Sequence, residues 1–273
     1  MYIVNNIILL EMPKSGSSFL RRFFNFYFGH NNIKRSGIHN GISSVKIRDK
    51  INNGDIKVIS SIRNPFDWYV SNYFFGRDTR DGYYRNIGLR RNEFSLLGIK
   101  STLKNPNILF RDVSEWKRVY DSNEEPFDLL FQDWLHLVLT DRSKDLYNTY
   151  GKVADRIGLF TYLFLKIHTF NFNNKIKEFV STNNTLEFYH NNKIRANVLS
   201  MENLVDELIN SFEYLGINKE RGLEVLNEMK SLNSGLKVNS SNRGSYPSYY
   251  GTKEIDLVSE KDRDLIKMYN YNF

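Results

Sequence analysis

The sequence predicts an α/β fold, a central parallel sheet flanked by helices, and two strand–loop–helix passages before residue 75 carry that expectation. In the first, the apolar run Ile7, Ile8, Leu9, Leu10 passes through a polar turn into Leu20, Phe23, Phe24 and Tyr27, which recur at helical spacing. In the second, Val58, Ile59 and Ile62 lead through Arg63 and Asn64 into a helix opened by Pro65. No internal repeat or low-complexity linker interrupts the chain. One domain, 1–273, is the simplest organisation, with 77–190 as a helical insertion.

Taken in order, residues 2–10 read as strand 1 and 19–28 as an amphipathic helix stopped by Gly29. Ser17 or Ser18 is suited to cap that helix. Residues 30–40 are polar and read as a loop, 42–51 as a weak helix, and Asn52, Asn53, Gly54 and Asp55 as a turn. Residues 57–62 form a second strand. The helix after Pro65 carries Phe66, Tyr69, Val70, Tyr73 and Phe74 on its apolar side. Residues 77–109 lack periodicity and read as a long irregular segment, a kind of loop that usually serves function. Helices are expected over 126–139, 157–170, 205–215, 220–232 and 255–269. A further strand is expected over 195–201, and a Ser/Asn/Gly loop over 233–250.

Composition narrows the class. Hydrophobic residues make up 41% of the chain and aromatics 15%, enough for a packed core, which excludes disorder. No cysteine is present, so disulfide and thiolate chemistry are excluded. No apolar run reaches the roughly 18 residues of a membrane-spanning helix, and Glu11 and Lys14 interrupt the run where a secretory leader would continue. A soluble, cytoplasmic protein is expected. The formal charge of +7 favours an anionic ligand, although such a charge is also common on proteins that bind nothing acidic.

The chemistry concentrates in two places. Lys14, Ser15, Gly16, Ser17 and Ser18 join a strand to a helix, the arrangement that offers backbone N–H groups to an anion. Lys14 precedes the glycine, so this is not the G-x-x-x-x-G-K-[ST] loop of ATP- and GTP-binding proteins. Arg63 stands at the end of the second strand, with Ser71 two turns into the following helix. If the two strands are parallel neighbours, both places share the rim of the sheet where open α/β folds bind ligands. Two cations, several hydroxyls and two helix N-termini would then suit a ligand with more than one anionic group.

These residues resemble the sulfotransferases that use 3′-phosphoadenosine-5′-phosphosulfate (PAPS). Pro13-Lys14-Ser15-Gly16-Ser17-Ser18-Phe19-Leu20 is similar to that family's P-K-S-G-T-T-x-L loop, and Ile62-Arg63-Asn64-Pro65-Phe66-Asp67 with Ser71 and Tyr73 is similar to its 3′-phosphate segment. Ser200-Met201-Glu202-Asn203-Leu204, with Leu215-Gly216-Ile217 beyond it, resembles the family's x-x-E-n-L … L-G-i passage. Tyr249-Tyr250 and the end Tyr269-Asn270-Tyr271-Asn272-Phe273 resemble the C-terminus of bacterial and carbohydrate-type members. The resemblance leaves 77–190 uncovered.

The resemblance implies a P-loop-like sulfotransferase fold and a role for each matching residue. Lys14 would stabilise charge on the leaving oxygen. Ser15, Gly16, Ser17 and Ser18 would hold the 5′-phosphate, and Arg63 and Ser71 the 3′-phosphate. Arg243, in the loop Asn239-Ser240-Ser241-Asn242-Arg243-Gly244, is a further phosphate-contacting candidate. His39 is the candidate base for the acceptor hydroxyl or amine, with Glu11 and Glu93 in reserve. Carbohydrate is the expected acceptor class, and neither a metal nor a nucleic acid is expected.

Two other classes compete. A kinase-like P-loop enzyme is disfavoured by the missing G-K-[ST] and by the lack of a clear Walker-B aspartate. A non-catalytic basic binding protein, for nucleic acid for example, is disfavoured because the basic residues are scattered rather than striped. Taken alone, Arg63 and Ser71 are also readable as ordinary surface residues, and the aromatic runs 23–28 and 69–75 as core.

Overall fold

Asn5 and Asn6 fold the first apolar run back on itself. Strand β1 (Tyr2–Val4) pairs antiparallel with β2 (Ile7–Leu10), Val4 opposite Ile7, and Asn5 takes a φ of 50° in the two-residue turn. The computed structural model describes residues 2–29, 33–35, 41–87, 112–146, 149–182, 184–232 and 243–273. Helix α1 (Ser17–Phe28) follows, then β3 (Ile33–Arg35), α2 (Val45–Asn52), β4 (Lys57–Ile62), α3 (Pro65–Thr79) and α4 (Tyr83–Asn86). Helices α5 (Ser114–Asp121), α6 (Phe127–Leu139), α7 (Leu159–His168), α8 (Phe172–Ser181) and α9 (Thr185–Asn192) come next. The chain ends with β5 (Asn197–Ser200), α10 (Leu204–Asn210), α11 (Phe212–Leu215), α12 (Lys219–Ser231), α13 (Thr252–Lys261) and α14 (Arg263–Met268).

These elements make an α/β protein with two compact units, Met1–Asn64 with Leu163–Ser240 and Pro65–Tyr162 with Ser241–Phe273. The first holds a five-stranded sheet in the order β3-β1-β2-β4-β5. β2 pairs parallel with β4 and β4 with β5, whereas β1 is antiparallel to both β2 and β3. The all-parallel sheet expected from the sequence is therefore mixed. A two-residue connection reaches only an antiparallel neighbour, because a parallel one needs a crossover.

One face of this sheet is sealed by α1, α10, α11 and α12. Leu9, Ile59 and Leu199 from the strands meet Leu20, Phe23 and Phe24 of α1 and Leu208, Phe212, Val225 and Met229 of the others, all buried. Phe23 stacks on Phe212 with centroids 5.6 Å apart. Each fully buried aromatic of this kind contributes about 2 kcal/mol. Helix α1 starts earlier than its apolar spacing indicates, and neither serine caps it. Gly16 is the cap residue, and Ser17 is already helical.

In the second unit α3 is buried on nearly every side: Phe66, Trp68, Tyr69, Val70, Tyr73 and Phe74 are all inside. It is a central helix, not the one-sided surface helix that its spacing suggested. Tyr73 donates to the Val119 carbonyl at 2.8 Å and stacks on Tyr120, whose hydroxyl accepts from Trp134 Nε1 at 2.6 Å. Asp262 is fully buried. It accepts from Tyr69 Oη at 2.7 Å and from Thr161 N and Oγ1 at 2.9 and 2.7 Å. Gly158 is required beside it, since a Cβ there would stand 2.4 Å from the carboxylate. Among the described residues, no helix is long and apolar enough to cross a membrane.

Candidate functional site

The parallel strands β2, β4 and β5 end together, Leu10 beside Ser60 and Ile62 beside Ser200. The segments that leave them, 11–16, 63–64 and 201–203, therefore emerge on one rim of the first unit. This is the rim on which open α/β sheets place ligands.

The first segment is conformationally unusual. Lys14 adopts φ 58° and Gly16 φ 87°. A lysine in the left-handed region costs about 1–2 kcal/mol, and such outliers persist where surrounding structure enforces them. Left-handed residues in a turn help form the N–H concavities that hold anions. The bonds that close α1 run from Phe19 N and Leu20 N to the Gly16 carbonyl, at 2.9 and 3.2 Å. The N–H groups of Ser17 and Ser18 thus stand at the open, positive end of a 12-residue helix with no acidic residue in its first turn.

Gly16 is constrained twice over. Its φ suits glycine, and a Cβ there would meet Leu204 Cδ2 at 2.6 Å. Leu204, the first residue of α10, thus presses on the loop from the strand end beyond β4.

The hydroxyls of the loop are not equivalent. Ser15, fully buried, donates to the Pro13 carbonyl at 3.3 Å, and Ser17, nearly so, to that of Met12 at 3.4 Å. Their hydrogens brace the turn. The Ser18 hydroxyl instead accepts from Arg21 Nη2 at 2.9 Å. Arg21 Nε lies 3.3 Å from Glu11 Oε1. Glu11, held as a reserve base, is engaged in that ion pair.

Arg63 reaches the same loop, where its Nη1 donates to the Lys14 carbonyl at 3.2 Å. Beside it, Glu202 accepts from Asn64 N at 2.8 Å through Oε1 and from Ser200 Oγ at 2.5 Å through Oε2. The strand ends of β4 and β5 are tied together by that carboxylate.

Beneath the rim lies a polar chain that the sequence did not reveal. His168 is fully buried; its Nδ1 is 2.9 Å from the Phe164 carbonyl and its Nε2 2.8 Å from Ser60 Oγ. Ser60 Oγ also lies 2.9 Å from the Leu10 carbonyl, immediately before the loop. Burial pushes the imidazole down to about 4, so the ring is neutral at physiological pH. The only signal in the sequence was the polar pair Ser60 and Ser61 between the apolar Ile59 and Ile62.

The remaining candidates belong to the second unit or lie outside the described residues. Ser71 is buried within α3 in the second unit, 7% exposed. Arg243, also in that unit, is ion-paired with Asp67 in the first turn of α3. Tyr83 and Tyr84 are buried, and Arg80 lies 4.9 Å over the Tyr84 ring. His39, Glu93 and residues 239–242 lie outside the described residues. No cluster of metal-ligating side chains occurs among the described residues. Compared with protein-family models, with curated proteins and with solved structures, the chain finds no match.

Proposed function

We propose that the chain is a PAPS-dependent sulfotransferase of P-loop-like fold, moving a sulfuryl group to a hydroxyl or amine of an acceptor, with carbohydrate as the acceptor class. The observation that supports this most is the contact of Arg63 with the Lys14 carbonyl, which brings two cationic motifs distant in sequence to one rim. The donor set suits a nucleotide with phosphates at both ends: an open helix N-terminus, a left-handed turn, one lysine and one guanidinium. PAPS supplies the activated sulfuryl group when bound.

In this reading the N–H groups of Ser17 and Ser18, with the Ser18 hydroxyl, hold the 5′-phosphate side, while Ser15 and Ser17 keep the turn in shape. Lys14 stabilises negative charge on the 5′-phosphate oxygen as the bond to sulfur breaks. Arg63 takes the 3′-phosphate. His39 removes the acceptor proton. The cytoplasm is the expected setting.

The test is transfer itself. PAPS incubated with the chain and a panel of oligosaccharides should release adenosine 3′,5′-bisphosphate in step with acceptor sulfation. Lys14→Ala and His39→Ala should each abolish it. No turnover with any acceptor, together with no binding of the nucleotide, would remove the reading.

A further inference from the structure

Arg21 sits where a cation is electrostatically disfavoured, one turn into a helix whose positive end has no acidic residue in its first turn. Two contacts hold it there. Its Nε lies 3.3 Å from Glu11 Oε1, and its Nη2 donates to Ser18 Oγ at 2.9 Å. Glu11 is only 3% exposed, whereas Arg21 is 25% exposed. A carboxylate so buried requires a partner, and the guanidinium provides one while remaining partly open to solvent.

The consequence falls on Ser18. A serine hydroxyl has one hydrogen and two lone pairs. Ser15 and Ser17 direct their hydrogens at loop carbonyls, but Ser18 Oγ has a lone pair occupied by a charged donor. Its own hydrogen is thereby directed away from Arg21, and the cation polarises the O–H bond. The hydroxyl becomes a donor oriented for an acceptor beside the N–H groups of the first turn.

We propose that Arg21, anchored by Glu11, is a positioning residue that commits the Ser18 hydroxyl to donate to a phosphate-type anion at the N-terminus of α1. The proposal rests on reading the 13–18 loop as an anion cradle. It does not require the ligand to be a nucleotide. Glu11 on this account is the anchor of a relay rather than a base.

The experiment is calorimetric titration of the full chain with two probes, adenosine 3′,5′-bisphosphate and inorganic pyrophosphate. The variants are Arg21→Met, Arg21→Lys, Ser18→Ala and the double variant Arg21→Met/Ser18→Ala. Loss of a charge-assisted contact is expected to weaken binding about tenfold or more in Arg21→Met, and similarly in Ser18→Ala. The double variant should be no weaker than either single one, because the two side chains act as one unit. Arg21→Lys, which keeps a cationic donor, should recover most of the loss. Should Arg21→Met fail to fold, Glu11→Gln loosens the anchor at nearly constant shape, and its loss should likewise vanish in a Ser18→Ala background.

Independent, additive losses in the double variant would overturn the proposal. So would wild-type affinity in Arg21→Met, or a wild-type chain that binds neither probe. If pyrophosphate binds with the coupling described and the bisphosphate does not bind, the relay stands and the nucleotide reading fails.

Discussion

The guanidinium of Arg63 donates to the backbone carbonyl of Lys14 at 3.2 Å, joining residues 49 apart in sequence. The contact is to the backbone rather than the side chain, so Arg63 helps fix the left-handed turn as well as adding charge to the rim. Arg63→Ala should therefore weaken adenosine 3′,5′-bisphosphate binding at least tenfold and also lower the stability of the ligand-free protein by about 1 kcal/mol. Chemical unfolding without ligand checks the second part. Unchanged stability would mean that the contact does not constrain the loop.

Lys14 holds a left-handed φ of 58°, a strain that glycine would relieve. Lys14→Gly should leave the protein about 1 kcal/mol more stable than Lys14→Ala, because glycine accepts φ 58° without a Cβ penalty. Both variants should lose transfer. Paired denaturation curves decide it, and equal stability would place the strain elsewhere.

Gly16→Ala should be more severe. The new Cβ would meet Leu204 Cδ2 at 2.6 Å and would have to adopt φ 87°. A loss of roughly 1–3 kcal/mol is expected, with loss of anion binding. The companion variant Gly16→Ala/Leu204→Ala removes the clash but not the strained φ. It should recover part of the stability, measured in the same unfolding experiment.

Two buried groups make opposite contributions to the pH dependence of stability. Burial lowers His168 from 6.5 to about 4, so the unfolded chain takes up a proton that the folded one refuses, and this contribution is lost as pH falls from 6.5 towards 4. Burial raises Asp262 from 3.8 to about 6 despite its donors, so its contribution is full below 3.8 and lost as pH rises through 6. Between pH 4 and 6 the two slopes offset one another. Relative to wild type, His168→Asn should make stability fall more steeply as pH rises across that window, and Asp262→Asn should make it rise. Urea unfolding at pH 4, 5 and 6 reads both slopes, and parallel curves for all three proteins would contradict the assignment.

Local patterns were read well where one physical signal dominated. β4 over Lys57–Ile62 matches its expected bounds, and Pro65 opens α3 as anticipated. The helix over Phe127–Leu139 also matches, whereas the one expected over 205–215 is divided at Ser211 into Leu204–Asn210 and Phe212–Leu215. The hairpin at Asn5 and Asn6 lies within 2–10, a segment read as one strand, although Asn-Asn is itself a turn signal. β3, three residues long, lay in a segment read as loop because an edge strand so short has no periodicity to detect. The helices over Phe172–Ser181 and Thr185–Asn192 were missed because Asn and Lys dilute their apolar faces.

In the candidate site, the loop and Arg63 were legible because their residue types and spacing carry chemistry. The roles of Arg21, Glu202 and His168 were not, because each acts on a partner brought close only by folding: Glu11, Asn64 and Ser60. Arg243 shows the converse. A cation in a promising loop turns out to pair with Asp67.

On the proposed function, the rim binds a nucleotide bearing phosphates on both its 3′ and 5′ sides. Thermal unfolding of the full chain with adenosine 3′,5′-bisphosphate, and separately with ATP at the same concentration, tests it most directly. A clear rise in midpoint with the bisphosphate, removed by Arg63→Ala, is expected, with little response to ATP. Equal shifts with the two nucleotides, or none with either, would contradict it.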